Sequence, residues 1–228
     1  MERWQGGRAA VRKPKIPDAA IKRLPVYLRV LEEFRAAEVP IVSSAELAER
    51  TGFSPEQIRK DLAYFGAFGT RGVGYDTALL SRRISRILGL DQGVKAALVG
   101  AGNLGHALAR YSLSKHKDVR IVAIFDADPA KIGTEIMGVT IRPPSELVEV
   151  CRREGVRIGI ITVPASEAQA CAELLIAGGV EAILNFAPAK LKVPEGVFVQ
   201  NIDLTIELQS LAYYTSASQS DAEVSRAE

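Results

Sequence analysis

The run Ala96-Ala97-Leu98-Val99-Gly100-Ala101-Gly102-Asn103-Leu104-Gly105 decides the fold of the larger part of this chain. Four apolar residues pass without a break into a loop with glycines at 100, 102 and 105, and helix-forming residues follow to about Lys115. A second apolar run, 121–125, ends in Phe125 and is followed by Asp126, 21 residues beyond Gly105. Three glycines at this spacing are common by themselves. Between a strand and a helix, with a carboxylate closing the next strand, they describe the phosphate-binding turn of a βαβ unit. Gly100 permits the tight turn, Gly102 lets backbone amides approach a pyrophosphate, and Gly105 lets the helix pack closely on the strand. The helix start adds about half a positive charge where the phosphates would lie. Asp126 can accept hydrogen bonds from both hydroxyls of a ribose and would repel a 2′-phosphate, so NAD(H) is expected in preference to NADP(H).

Further strands at 158–163, 180–184 and 197–200 alternate with helices at 144–153 and 166–177. This alternation predicts an α/β fold with a parallel sheet and right-handed crossovers. Ligands bind beyond the carboxyl ends of such strands. Thr162-Val163-Pro164 and Asn185-Phe186-Ala187 therefore become candidate walls of a nicotinamide site, and Phe125 joins the glycine loop and Asp126 as a candidate cofactor-binding residue. A dehydrogenase would also need an acid or base for the proton that accompanies hydride transfer. His106 lies in the first helix turn and His116 in a charged loop; Tyr111 and Lys115 imitate a Tyr-Lys catalytic pair but follow too closely on the glycine loop. No catalytic residue is assigned.

The chain has 228 residues, 47% hydrophobic and 25% charged, the composition of a folded globular protein. Its only cysteines are Cys151 and Cys171, with no CxxC, so neither a disulfide framework nor a cysteine zinc site is expected and a reducing cytoplasm fits. No apolar run reaches the roughly 18 residues of a membrane span, and the basic start lacks the apolar core of a signal peptide. The net charge of +2 conceals an asymmetry: residues 1–90 carry 16 Lys and Arg against 10 Asp and Glu, the rest 13 against 17. A basic first part on an acidic second part suggests two domains, the first with a polyanionic partner.

The Gly-rich break at 89–93 marks the boundary. Before it, Asp18 can cap a helix running to about Ala37. Ser43 and Glu46 form a capping box for a second helix ended by Gly52. Ser54, Pro55 and Gln57 start a third, which is expected to run to Gly66. The second and third make a helix-turn-helix. Ile58, Leu62 and Phe65 give the third helix an inward face; Gln57, Arg59, Lys60 and Tyr64 are candidates for contacts with DNA, together with the helix-start serines Ser43, Ser44 and Ser54. The glycines of 68–75 predict a hairpin wing with Arg71 near its tip, able to reach a minor groove.

Taken together, Gln57-Ile58-Arg59-Lys60-Asp61-Leu62, the wing Gly69-Thr70-Arg71-Gly72-Val73-Gly74-Tyr75, the glycine loop, Asn185-Phe186-Ala187-Pro188 and Asn201-Ile202-Asp203-Leu204 resemble the Rex family of bacterial redox-sensing transcriptional repressors. The resemblance implies a winged-helix domain (16–90), a Rossmann domain binding NADH or NAD⁺ (91–203) and an exchanged C-terminal helix (204–215) in a homodimer. It also implies release of double-stranded DNA when NADH replaces NAD⁺. In the family a Tyr, an Asp and an Arg take part in the switch, and Tyr111, Asp203 and Arg29 occupy those positions. A two-fold dimer would read a pseudo-palindromic operator with half-sites about 34–36 Å apart or a multiple of it. The extension 1–15 and the tail 216–228 are expected to be disordered. Two alternatives stand beside this reading: an NAD-dependent oxidoreductase with an N-terminal helical extension, and a CoA-binding domain.

Overall fold

The computed structural model describes residues 16–66, 68–70, 72–115 and 118–224, with side chains for all of these except 113–115 and 216–224. The extension 1–15, Arg71 and His116 lie outside the described residues. The chain divides into two compact units, Met1–Asp91 and Gln92–Glu228.

In the first unit, α1 (Asp18–Ala36) buries Leu24, Tyr27, Leu28, Leu31 and Phe34 at helical spacing. Its N-cap is Pro17, and Asp18 is the first helical residue, so the carboxylate serves the helix dipole and not the cap. β1 (Ile41–Val42) leads to α2 (Ser44–Thr51), where Ser43 and Glu46 form the expected capping box and Gly52 closes the helix in the left-handed region. α3 (Pro55–Ala63) starts on Ser54, which accepts the Gln57 N–H. It stops at Tyr64, short of the expected Gly66, because the Tyr64 and Phe65 amides reach back only three residues, in a tightened last turn.

β2 (Tyr75–Asp76) pairs antiparallel with β1, Val42 opposite Tyr75, and a Thr70–Gly74 bridge closes the wing. A Cβ on Gly74 would stand 2.7 Å from the Val42 carbonyl oxygen, so only glycine fits this turn. α4 (Thr77–Ile87), which no sequence signal had marked, is capped by Asp76 and packs Leu80 and Ile84 against α1.

The second unit is doubly wound. β3 (Val94–Val99), α5 (Asn103–Lys115) and β4 (Val119–Phe125) form the βαβ unit read from the glycine run. A hairpin of β5 (Glu135–Ile136) and β6 (Val139–Arg142) follows, then α6 (Leu147–Glu154), β7 (Ile158–Ile161), α7 (Ala165–Ala177), β8 (Ala182–Asn185), β9 (Phe198–Asn201) and α8 (Leu204–Val224). Among the described residues the strands lie in the order β5-β6-β4-β3-β7-β8-β9, all parallel except β5. Residues of β3 alternate between two cores: Ala96 and Leu98 pack with Ala109 of α5, while Ala97 and Val99 pack with Leu147, Val150 and Leu175 of α6 and α7. Burial on both faces explains its unbroken apolar run.

The chain leaves β3 toward β4 on one side and later reaches β7 on the other, so the strand order reverses beside β3. In such sheets that reversal opens a ligand crevice at the strands' carboxyl ends. α8 differs from the sequence expectation, running as helix through Val224 where a tail had been expected from 216. Ser, Ala and Glu tolerate helix well enough to continue one already started.

Candidate nucleotide site and nucleic-acid interface

The glycine loop crosses the top of this crevice. Gly100 has φ of 100°, and a Cβ there would stand 2.7 Å from the Thr162 carbonyl oxygen. A Cβ on Gly105 would stand 1.9 Å from the Gly100 carbonyl oxygen, so α5 can start against the loop only with glycine at 105. Among the described residues, nothing lies within 4 Å of a Cβ on Gly102. Two glycines are thus required by the protein's own packing, and the third faces open space before the α5 N-terminus. A phosphate could occupy that space.

Asp126, at the end of β4, has its side chain 11% exposed. Its Oδ2 accepts the Ala101 N–H at 2.6 Å and lies 3.2 Å from Lys131 Nζ, while Oδ1 accepts the Asp128 N–H at 2.9 Å. Burial would raise its pKa, but the Asp128 and Ala101 amides and the Lys131 ammonium outweigh it and hold the carboxyl below its ordinary value. A carboxylate offers about four acceptor positions, and three of those on Asp126 are taken by these bonds. Lys131, five residues on, was not singled out in the sequence; its ammonium also lies 3.6 Å from Asp128 Oδ2.

Two candidate wall residues are occupied with holding loops. The Thr162 hydroxyl donates to the Gly100 carbonyl at 2.7 Å, tying β7 to the glycine loop. Asn185 is fully buried. Its Nδ2 donates to the Ala187 and Ala189 carbonyls and to Asn201 Oδ1, and its Oδ1 accepts the Ala187 N–H, which shapes the loop after β8. Val163 and Phe186 are partly buried against the two cores, Ala187 is buried, and Pro164 is exposed. Tyr111 is exposed on α5, and Asp203 caps α8, accepting the Thr205 N–H at 2.9 Å. Arg29 is exposed on α1, in the other unit.

On the first unit, Lys60 and Tyr64 lie on the outer side of α3, Lys60 exposed and Tyr64 partly so. Arg59 is exposed and donates to Ser44 Oγ and to Glu56, each at 2.7 Å. Ser43 and Ser54 serve as caps. A cleft of about 670 Å³ between α3 and the wing is lined by Ser43, Ser44, Arg59, Thr70 and Tyr75 among others.

The residue that sequence reasoning missed is Asp61, fully buried on α3. Arg23 grips it with two bonds of 2.6 and 2.8 Å, Tyr27 donates to it at 2.7 Å, and the Gln57 amide donates at 2.8 Å. Burial would raise its pKa, but the bonds from Arg23, Tyr27 and Gln57 prevail and depress it. The available signal was its place: a carboxylate next to Leu62 and three residues from Ile58 lies on the inward face of the helix.

Two family models match the chain, one described as "CoA binding domain" over residues 91–189 and one as "Putative DNA-binding protein N-terminus" over residues 15–63. The chain is 52% identical to the redox-sensing transcriptional repressor Rex of Natranaerobius thermophilus, over 87% of this chain and 90% of that one. It is 47% identical to Rex of Streptomyces coelicolor over 91% and 80%. Among solved structures, RSP in complex with β-NAD⁺ and operator DNA superposes with a TM-score of 0.84 at 36% identity, covering 92% of this chain and 96% of that one. RSP in complex with β-NADH gives 0.79 at 34%, covering 92% and 99%. Identity at this level, sustained from the winged helix through the nucleotide loop, means that the chain belongs to the Rex family of redox-sensing transcriptional repressors.

Proposed function

We propose that this chain is a homodimeric repressor, working in the cytoplasm, that binds a pseudo-palindromic operator when NADH is scarce and leaves it when NADH occupies the glycine loop. The observation that carries this reading is the open space at Gly102, before the N-terminus of α5 and beside a shielded carboxylate, on a chain that also presents a capped recognition helix and a wing. The RSP complexes support both ligands. Contacts to the operator are assigned to Gln57, Arg59, Lys60, Tyr64 and Arg71, with Ser43, Ser44 and Ser54 at helix starts whose amides suit phosphates.

The dimer is supported by α8. Leu204, Leu208 and Leu211 share one face, Ile206 and Tyr213 the opposite one, and all five are more than half exposed. A helix apolar on two faces needs cover on both, which an exchange between protomers provides.

In the ribose site, Asp126 is assigned one hydroxyl and Lys131 the other. Asp126→Ser should leave Lys131 free to meet a 2′-phosphate, and NADPH affinity relative to NADH should rise about tenfold or more in a fluorescence titration. CoA serves as the control ligand: binding of CoA in preference to NADH would favour the CoA-domain reading.

The switch is assigned to Asp203, Tyr111 and Arg29, with Asp203 bonding differently in the two nucleotide states. Asp203→Asn keeps a good helix cap and removes the charge. It should bind operator like the parent while NADH no longer weakens that binding. The parent should show the usual coupling of about 5- to 150-fold. An undiminished NADH response in Asp203→Asn would remove Asp203 from the switch.

A further inference from the structure

Gln57 stands in the first turn of α3, at the end of the helix that helix-turn-helix proteins direct at base edges. Its amide is not free to rotate. Asp61, one turn later, is an acceptor only, so the group that bonds it must be the Gln57 Nε2, which donates to Asp61 Oδ1 at 2.8 Å. Asp61 is itself immobilised by the two-bond Arg23 grip and by Tyr27, both from α1. The orientation of the Gln57 amide is therefore set by a buried carboxylate anchored on a second helix.

We propose that Asp61 is a positioning residue for operator reading: it fixes Gln57 with Oε1 as an acceptor and its second N–H as a donor, the pair complementary to the major-groove edge of adenine. Adenine offers the N6 amino group as donor and N7 as acceptor, whereas guanine offers two acceptors and would face Oε1 with its O6. A freely turning glutamine could present two N–H groups to guanine; one held by Asp61 cannot. The anchor also ties α3 to α1, so a shift of α1 would move the reading residue with it. This inference rests on the proposed operator binding and adds the base class that one residue reads.

The test uses the full chain and an operator duplex selected by it from palindromes of random sequence. Affinities are then measured for duplexes with single base-pair changes, for the parent, Gln57→Met, Asp61→Asn and the pair Arg23→Met/Asp61→Asn. The paired variant guards against misfolding, because neutralising both partners of a buried ion pair is tolerated better than orphaning one.

The parent should lose about 5- to 150-fold when one particular A·T pair in each half-site becomes G·C. Gln57→Met should be nearly indifferent to that change. Asp61→Asn, whose amide can turn Gln57 round, should lose most of the preference for A over G at that pair alone, with the other pairs read as before. Full A-over-G preference in the folded Asp61 variants, or an even loss at every pair, overturns the proposal while leaving operator binding intact. If the parent selects no specific duplex, the operator reading falls and this inference with it.

Discussion

Gly105→Ala should abolish NADH binding and lower the melting temperature of the chain, because its Cβ would be placed 1.9 Å from the Gly100 carbonyl oxygen. Both sides of that clash are backbone, so no side chain can yield. α5 would have to lift away from β3, opening the core that Ala109 shares with Ala96 and Leu98 and pulling on the bond from Thr162 to Gly100. Overpacking of this kind costs on the order of 3 kcal/mol or more. For a unit of this size that corresponds to a melting shift of roughly 6–12 °C.

Gly102→Ala is the informative contrast. Its Cβ meets nothing within 4 Å among the described residues, so the melting temperature should stay within about 2 °C of the parent. The added methyl nevertheless stands where a pyrophosphate would approach the loop amides, and NADH affinity should fall about tenfold or more. Calorimetry and a fluorescence titration on both variants check the pair. Equal destabilisation by the two substitutions would contradict the division between packing glycines and a ligand glycine.

Asp61→Ala should destabilise the first unit by about 3–5 kcal/mol, the usual loss when one partner of a buried ion pair is removed. The substitution strands the Arg23 guanidinium and the Tyr27 hydroxyl, the latter on a side chain 1% exposed within the core of α1, α3 and α4. Against a typical total of about 5–15 kcal/mol, much of the unit's stability would be gone.

The same bonds set a pH dependence. Because Asp61 titrates in the folded unit below its ordinary value of 3.8, its contribution is complete above that value and lost as pH falls through the lower, folded one. The stability difference between the parent and Asp61→Ala, followed by near-ultraviolet circular dichroism, should be constant from about pH 5 to 8 and shrink below about pH 4. A difference that grew on acidification would refute the charged role of Asp61.

Much of this could be read from the residues because each signal had one physical meaning. Gly100 and Gly105 announced a turn that no side chain would tolerate, and the apolar β3 had to be buried on both faces. Ser43 with Glu46, and Ser54 with Pro55, marked helix starts whose caps form as expected. The elements that escaped carry weaker or doubled signals. In the β5–β6 hairpin, Met137 and Gly138 both take positive φ, 52° and 82°, and methionine seldom announces such a turn. α4 buries only a narrow stripe, and its cap, Asp76, is also the last residue of β2.

Site residues were harder to read because a polar side chain near a ligand and one that shapes the loop beside it look alike in sequence. Asn185 and Thr162 proved to hold loops, and Asp126 to have two acceptor positions committed to backbone. Only hydrogen-bond partners distinguish these roles, and the partners come from remote parts of the chain.

The most direct measurement is the anisotropy of a fluorescent duplex, selected by the full chain, titrated at constant total nucleotide while the NADH to NAD⁺ ratio is raised. Operator affinity should fall by about 5- to 150-fold as NADH replaces NAD⁺ and recover when NAD⁺ is restored. Specific binding that stays constant across the whole range of ratios would contradict redox control of this chain.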